Sequence, residues 1–119
     1  AATGGVDALA VAVGSSHAMS QRSASLDFDL IRRLRASVSV PPLVLHGSSG
    51  VSDSDLRKAV EAGITKINVG TLLNVRFTAA VRDHLAADPT VNDPPRRYLS
   101  PARDAMAEAV ATLITAING

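Results

Sequence analysis

Hydrophobic positions in this chain alternate between two kinds of segment. Short, mostly apolar runs stop abruptly at glycine or polar residues, and each is followed by a longer stretch with apolar positions at helical spacing. The runs are Val6 to Val13 (apolar except for Asp7), Leu43-Val44-Leu45, and Ile64 to Val69. All three read as strands. After the first, residues 15–25 form a Ser-rich loop, and Leu26, Leu30, Ile31 and Leu34 then mark a helix. Asp27 and Asp29 lie at its start, where negative charge suits the helix dipole, and the segment from Ser37 to Pro42 ends it. After the second strand, Ser52 is a predicted N-cap with Asp55 three residues on, a capping-box variant. Leu56, Ala59 and Val60 give that helix its inner face, and Gly63 terminates it. After the third strand, Thr71 is expected to cap a helix packing through Leu73, Phe77, Ala80, Val81 and Leu85. A proline-containing linker over residues 88–97 leads to a last helix from about Pro101. Its stripe is Ala102, Met106, Ala109, Val110, Leu113 and Ile117.

The order β-α-β-α-β-α-α predicts one α/β domain over residues 1–119 with a parallel sheet. Composition narrows this further. Aromatics are 3% of the chain while hydrophobic residues are 46%, so the core is built from Val, Leu, Ile and Ala. That is the usual filling of parallel strands covered by helices on both faces. Three strands cannot close a barrel, since an eight-stranded one takes about 250 residues. The chain therefore reads as a small open unit or as the last part of a barrel. Its opening, Ala1-Ala2-Thr3-Gly4-Gly5, lacks Met and runs directly into a strand, which favours the second.

A net charge of +1 gives no field suited to nucleic acid, and the arginines at 32–35 and 96–103 read as helix-surface charge. With no cysteine, disulfides and thiolate metal sites are excluded. There is no apolar run of membrane-spanning length and no secretory signal pattern, so no membrane partner is expected and the setting is taken as cytoplasmic.

Chemistry concentrates at the strand ends, the side of a parallel α/β sheet where ligands bind. His17 follows the first strand and His46 the second. If those strands are adjacent, both imidazoles reach one rim, as two ligands of a single metal would; taken alone, each is more often a hydrogen-bonded structural residue. Gly47-Ser48-Ser49-Gly50 offers flexible backbone N–H groups for an anion nest, with two hydroxyls beside them; its simpler reading is a tight turn. Asn68-Val69-Gly70-Thr71 stands at a helix N-terminus, which favours phosphate, though an N-cap at Thr71 would account for it too. His84 lies on a polar helix face and reads as a solvated histidine.

These residues resemble a known family. The segments Gly5-Val6-Asp7-Ala8-Leu9-Ala10-Val11-Ala12-Val13-Gly14 through His17, Pro42 to Gly50, and Gly63 to Val69 are similar to class II, zinc-dependent ketose-bisphosphate aldolases. The tail from Asp93-Pro94 to Tyr98-Leu99, with Pro101 to Met106, is similar to their C-terminal helix region. The resemblance implies the C-terminal portion of a (β/α)8 TIM barrel, about strands six to eight. It implies Zn2+ on His17 and His46, and a sugar phosphate held by Ala18, Gly47, Ser48, Ser49, Asn68, Val69, Gly70 and Thr71. The reaction implied is metal-assisted cleavage of a fructose or tagatose bisphosphate to dihydroxyacetone phosphate and glyceraldehyde 3-phosphate. Arg96, Arg97 or Arg103 would meet the second phosphate, and the whole protein would be a homo-oligomer.

The family's catalytic aspartate and third zinc histidine lie on earlier strands, so no catalytic residue is assigned within this segment and the chain alone is expected to be inactive. Three departures from the family pattern stand out. Ala18 and Ser48 occupy positions that are usually Gly, and Pro94-Pro95-Arg96-Arg97 is one residue longer than the common Asp-Pro-Arg pattern. Two rival readings are a non-catalytic sugar-phosphate-binding relative and an unrelated phosphate-binding α/β domain.

Overall fold

The computed structural model describes residues 5–16, 19, 21–38 and 41–118. Three strands, β1 (Leu9–Val11), β2 (Leu43–Leu45) and β3 (Ile64–Ile67), form one parallel sheet in the order β1-β2-β3. Helix α1 (Phe28–Ser37) joins β1 to β2, and α2 (Asp53–Ala62) joins β2 to β3. Helices α3 (Thr71–Ala87) and α4 (Arg96–Asn118) follow. Strand neighbours in sequence are neighbours in the sheet, so successive strand ends stand side by side along one rim.

β2 is the hinge of the core. Leu43 and Leu45 are fully buried and Val44 nearly so, which is what a strand covered on both faces requires. Around it pack Ile31 of α1, Leu56 and Ala59 of α2, Ile64 of β3, and Val13, Leu26 and Val51 from the connections. β1 is shorter than the run from Val6 predicted, because residues 5–8 are exposed. Between β2 and β3 the register slips past Thr65, then resumes with Val44 beside Lys66 and Leu45 beside Ile67.

Local signals set the helix ends. Asp27 is the N-cap of α1 and accepts a hydrogen bond from Leu30 N–H. Ser52 caps α2 by accepting from Asp55 N–H, but Asp55 turns its own carboxylate to Lys58, which leaves the box half made. Gly63 ends α2 at φ 126°, a conformation open to glycine, with its N–H on Ala59 and Val60 carbonyls. Val60, expected to face inward, is exposed.

Helices α3 and α4 pack on each other more than on anything else, and α4 also meets α2. α3 therefore carries no buried residue. Leu73, Phe77, Ala80 and Val81 are half-buried and Leu85 is exposed, so the expected inner face meets a neighbouring helix rather than the sheet. α4 buries Ala102 and Leu113, with Met106, Ala109 and Ile117 half-buried and Val110 at the exposed margin. It starts at Arg96, ahead of Pro101, which lies inside the helix. The first turn is held by Arg97 N–H on Pro94 O and Leu99 N–H on Pro95 O, and Tyr98 lies 6.1 Å from the His84 ring. His84 is thus no solvated histidine: it is half-buried and meets the Asp93 carboxylate at 3.1 Å, joining α3 to the linker. The radius of gyration is 17.8 Å, against about 13–14 Å for a compact chain of this length, and the chain is elongated, 60 × 29 × 23 Å. Among the described residues no helix is long and apolar enough to cross a membrane.

Candidate functional site

The rim is laid out by the parallel register. Because Leu45 lies beside Ile67, the next residue of each chain segment, His46 and Asn68, also meet. The Asn68 N–H continues the ladder to Leu45 O at 3.0 Å, and the Asn68 side-chain amide lies 3.1 Å from Nε2 of His46.

Two serine hydroxyls extend this pairing beyond the strands. Ser15, in the connection after β1, donates to His46 O, the first carbonyl after β2. Ser48, in the connection after β2, donates to Asn68 O at 2.6 Å, the first carbonyl after β3. Past a strand end the backbone carbonyl has no ladder partner, and a buried carbonyl needs one. In both places a serine from the preceding strand's loop supplies it.

The Gly47–Gly50 loop is a single 3₁₀ turn rather than a flexible nest. Gly50 N–H closes on Gly47 O and Val51 N–H on Ser48 O, so those two amides are consumed by the turn. Gly47 adopts φ 65°, and a Cβ there would come within 2.6 Å of Ser16 O, so both its conformation and its neighbour require glycine. Ser48 sits in the 3₁₀ turn, where φ is negative, so the serine is accommodated without a left-handed backbone. Its hydroxyl proton is committed to Asn68 O.

Thr71 is not the cap of α3. Gly70 takes that position, with no side chain bonded to the first-turn amides. Those N–H groups and the positive end of a 17-residue helix open onto the rim. A cavity of about 230 Å³ is lined by His46, Gly47, Ser48, Ser49, Asn68, Val69, Gly70 and Thr71. The sequence-assigned binding residues other than Ala18 thus share one hollow. His46 also borders a neighbouring hollow with Ala10, Val11, Ala12 and Ser15, near the end of β1. A larger hollow of about 300 Å³ lies away from this rim, between Arg22, Asp53, Arg76, Glu108 and the α4 face. It lacks the converging loop backbone and histidine, and Arg22 is engaged there with Asp53 and Val51 O.

His17 and Ala18 lie outside the described residues. Among the described residues no three His, Cys, Asp or Glu side chains cluster as a metal cage. His46 contributes one imidazole of the roughly three protein ligands a catalytic zinc takes, so the donor type fits and the set is partial. Arg96, Arg97 and Arg103 are exposed on α4 and are not part of the cavity wall; Arg103 pairs with Asp104. The serine–carbonyl contacts were not apparent from the sequence. Their only trace is a serine four residues after β1 and three after β2, a signal too common to read alone.

The sequence matches the family described as Fructose-bisphosphate aldolase class-II over residues 1–119. Among solved structures, the chain is similar to the YdjI aldolase from Escherichia coli K12, with 35% identity and a TM-score of 0.75. That match covers 93% of this chain and 38% of that one. A putative fructose-1,6-biphosphate aldolase from Coccidioides immitis matches with 26% identity and a TM-score of 0.81, over 95% and 38% of the two chains. A Fructose-bisphosphate Aldolase from Campylobacter jejuni, 20% identical with a TM-score of 0.69, shares the fold over 92% and 39%. The chain therefore spans little more than a third of these relatives' length.

Proposed function

From the premise that the chain belongs to the class II fructose-bisphosphate aldolase family, we propose that it supplies part of an aldolase site. The reaction is cleavage of a ketose 1,6-bisphosphate, fructose or tagatose, to dihydroxyacetone phosphate and glyceraldehyde 3-phosphate. In this reading the three-stranded sheet is an arc of a (β/α)8 barrel, about strands six to eight, and residues 1–119 are the C-terminal part of one such domain. The observation that carries the reading is convergence: His46, Asn68 and both strand-end loops line one cavity at the carboxyl ends of parallel strands.

His17 and His46 are assigned as two zinc ligands. When bound, Zn2+ supplies Lewis acidity to the ketose carbonyl. The chain's own groups bind and orient. First-turn amides of α3 at Gly70 and Thr71, with the helix dipole behind them, grip the phosphate of the dihydroxyacetone half. Gly47 and Ser49 close the other wall of that grip. Asn68, its backbone held by two hydrogen bonds, presents a side-chain amide that can donate to a substrate oxygen. Holding phosphate and hydroxyl together keeps the scissile bond in one orientation, which lowers the entropic part of the barrier. No residue of this chain is assigned to proton transfer, and the 119 residues alone are expected to give no turnover. The whole protein is proposed to act as a homo-oligomer in the cytoplasm.

The test is zinc content and aldol cleavage of both bisphosphates by the whole protein, before and after chelation. Zinc-dependent cleavage supports the reading. Tight sugar-phosphate binding with no cleavage would replace it with a non-catalytic binding role.

A further inference from the structure

We propose that Ser48 is a positioning residue: its hydroxyl fixes the backbone of Asn68 and thereby aims the Asn68 side chain at the ligand cavity. The inference rests on the aldolase reading above. Asn68 is the first residue after β3, where the ladder gives out. Its N–H is held by Leu45 O at 3.0 Å, but its carbonyl points past the last strand pair and is taken by Ser48 Oγ at 2.6 Å. With N–H and C=O both fixed, the two planar peptide units flanking Asn68 are fixed, and so is its Cα–Cβ direction. Only the side-chain torsions remain, and the contact with Nε2 of His46 at 3.1 Å defines those.

Ser48 does this from a buried position in the cavity wall, through its hydroxyl. It is 3% exposed, and its single hydroxyl proton is used on Asn68 O. The arrangement is repeated one strand earlier, where Ser15 takes the carbonyl of His46. A bond made twice at equivalent places on the rim is a device for carrying the strand register into the loops.

The experiment is a double-mutant cycle in the whole, zinc-loaded protein: Ser48→Ala, Asn68→Ala and both together, assayed with fructose and tagatose bisphosphates. Ser48→Ala is expected to lower kcat about ten- to hundred-fold with zinc content unchanged, and Ser48→Thr, which keeps the hydroxyl, to recover most of the loss. In the Asn68→Ala background, removing the Ser48 hydroxyl is expected to cost little more, because its effect passes through the Asn68 side chain. An equal loss in both backgrounds, or no loss in either, overturns the proposal. Independently of turnover, the side-chain amide signals of Asn68 in 15N-resolved NMR spectra are expected to shift in Ser48→Ala, and unmoved signals would count against it. Ser48→Gly is the second variant for both readouts should Ser48→Ala not fold. If the unmutated protein cleaves neither sugar, the aldolase reading fails, while the NMR comparison still decides the role of Ser48.

Discussion

His46 and Asn68 meet at 3.1 Å although they are 22 residues apart in sequence. Each is the first residue beyond its strand, and the pairing of Leu45 with Ile67 just before them leaves their side chains at the same level of the rim. An alternating chain of short strands and helices thereby turns two distant polar residues into neighbours. The contact is a product of register, so anything that moves β3 against β2 breaks it.

Replacing His46 by Ala is expected to remove zinc from the whole protein and abolish aldol cleavage. Asn68→Ala should leave zinc in place and slow cleavage about ten- to hundred-fold, in keeping with loss of a group that orients a metal ligand. Metal analysis and steady-state kinetics on the two variants separate these outcomes. Loss of activity without loss of zinc in His46→Ala would remove it from the ligand set.

Gly47→Ala should destabilise the chain by more than about 1 kcal/mol, because φ 65° disfavours a side chain and the added Cβ would press on Ser16 O. The check is a shift in the urea unfolding midpoint with unchanged slope. A neutral substitution would mean that the β1 connection moves aside.

Leu45→Ala removes a fully buried side chain at the end of the central strand and is expected to cost about 2–5 kcal/mol. Leu85→Ala, at an exposed position of α3, is expected to stay within about 0.5 kcal/mol. Denaturant melts of both variants test whether the core is centred on β2.

The carboxyl of Asp88 is held below its ordinary range by the Thr90 hydroxyl and then by the Thr90 N–H. A depressed folded-state value means that this turn contributes stability above the usual carboxylate range and loses it as acid protonates Asp88 in the folded chain. Thr90→Ala is expected to raise the Asp88 titration midpoint, followed by carboxyl NMR shifts with pH. An unchanged midpoint would rule out the hydroxyl as the cause.

Much of this architecture is legible residue by residue, and the misses share one cause. Asp27, Ser52 and Gly63 act through their own neighbours within a turn, so local pattern suffices to find them. The cavity wall of His46–Ser49 and Asn68–Thr71 is legible because strand ends in a parallel sheet fall on one side. Long-range contacts decide the rest. Pro101 marks a helix start by local rules, yet Tyr98 against His84 and the carbonyls of Pro94 and Pro95 anchor an earlier turn. His84 is polar on a polar face, and only the fold brings Asp93 to it. Thr71 has the chemistry of a cap, but the backbone arriving from Asn68 puts Gly70 in that place.

The two serine–carbonyl bonds have a consequence for anyone redesigning this rim. Ser15 ties the first loop to the second and Ser48 ties the second to the third, so the three connections behave as one moulded part. Grafting a single loop from another protein would sever a bond to a neighbour that had not been changed. A new specificity would have to be transplanted as a set, with the donor and acceptor ends of each bond carried across together.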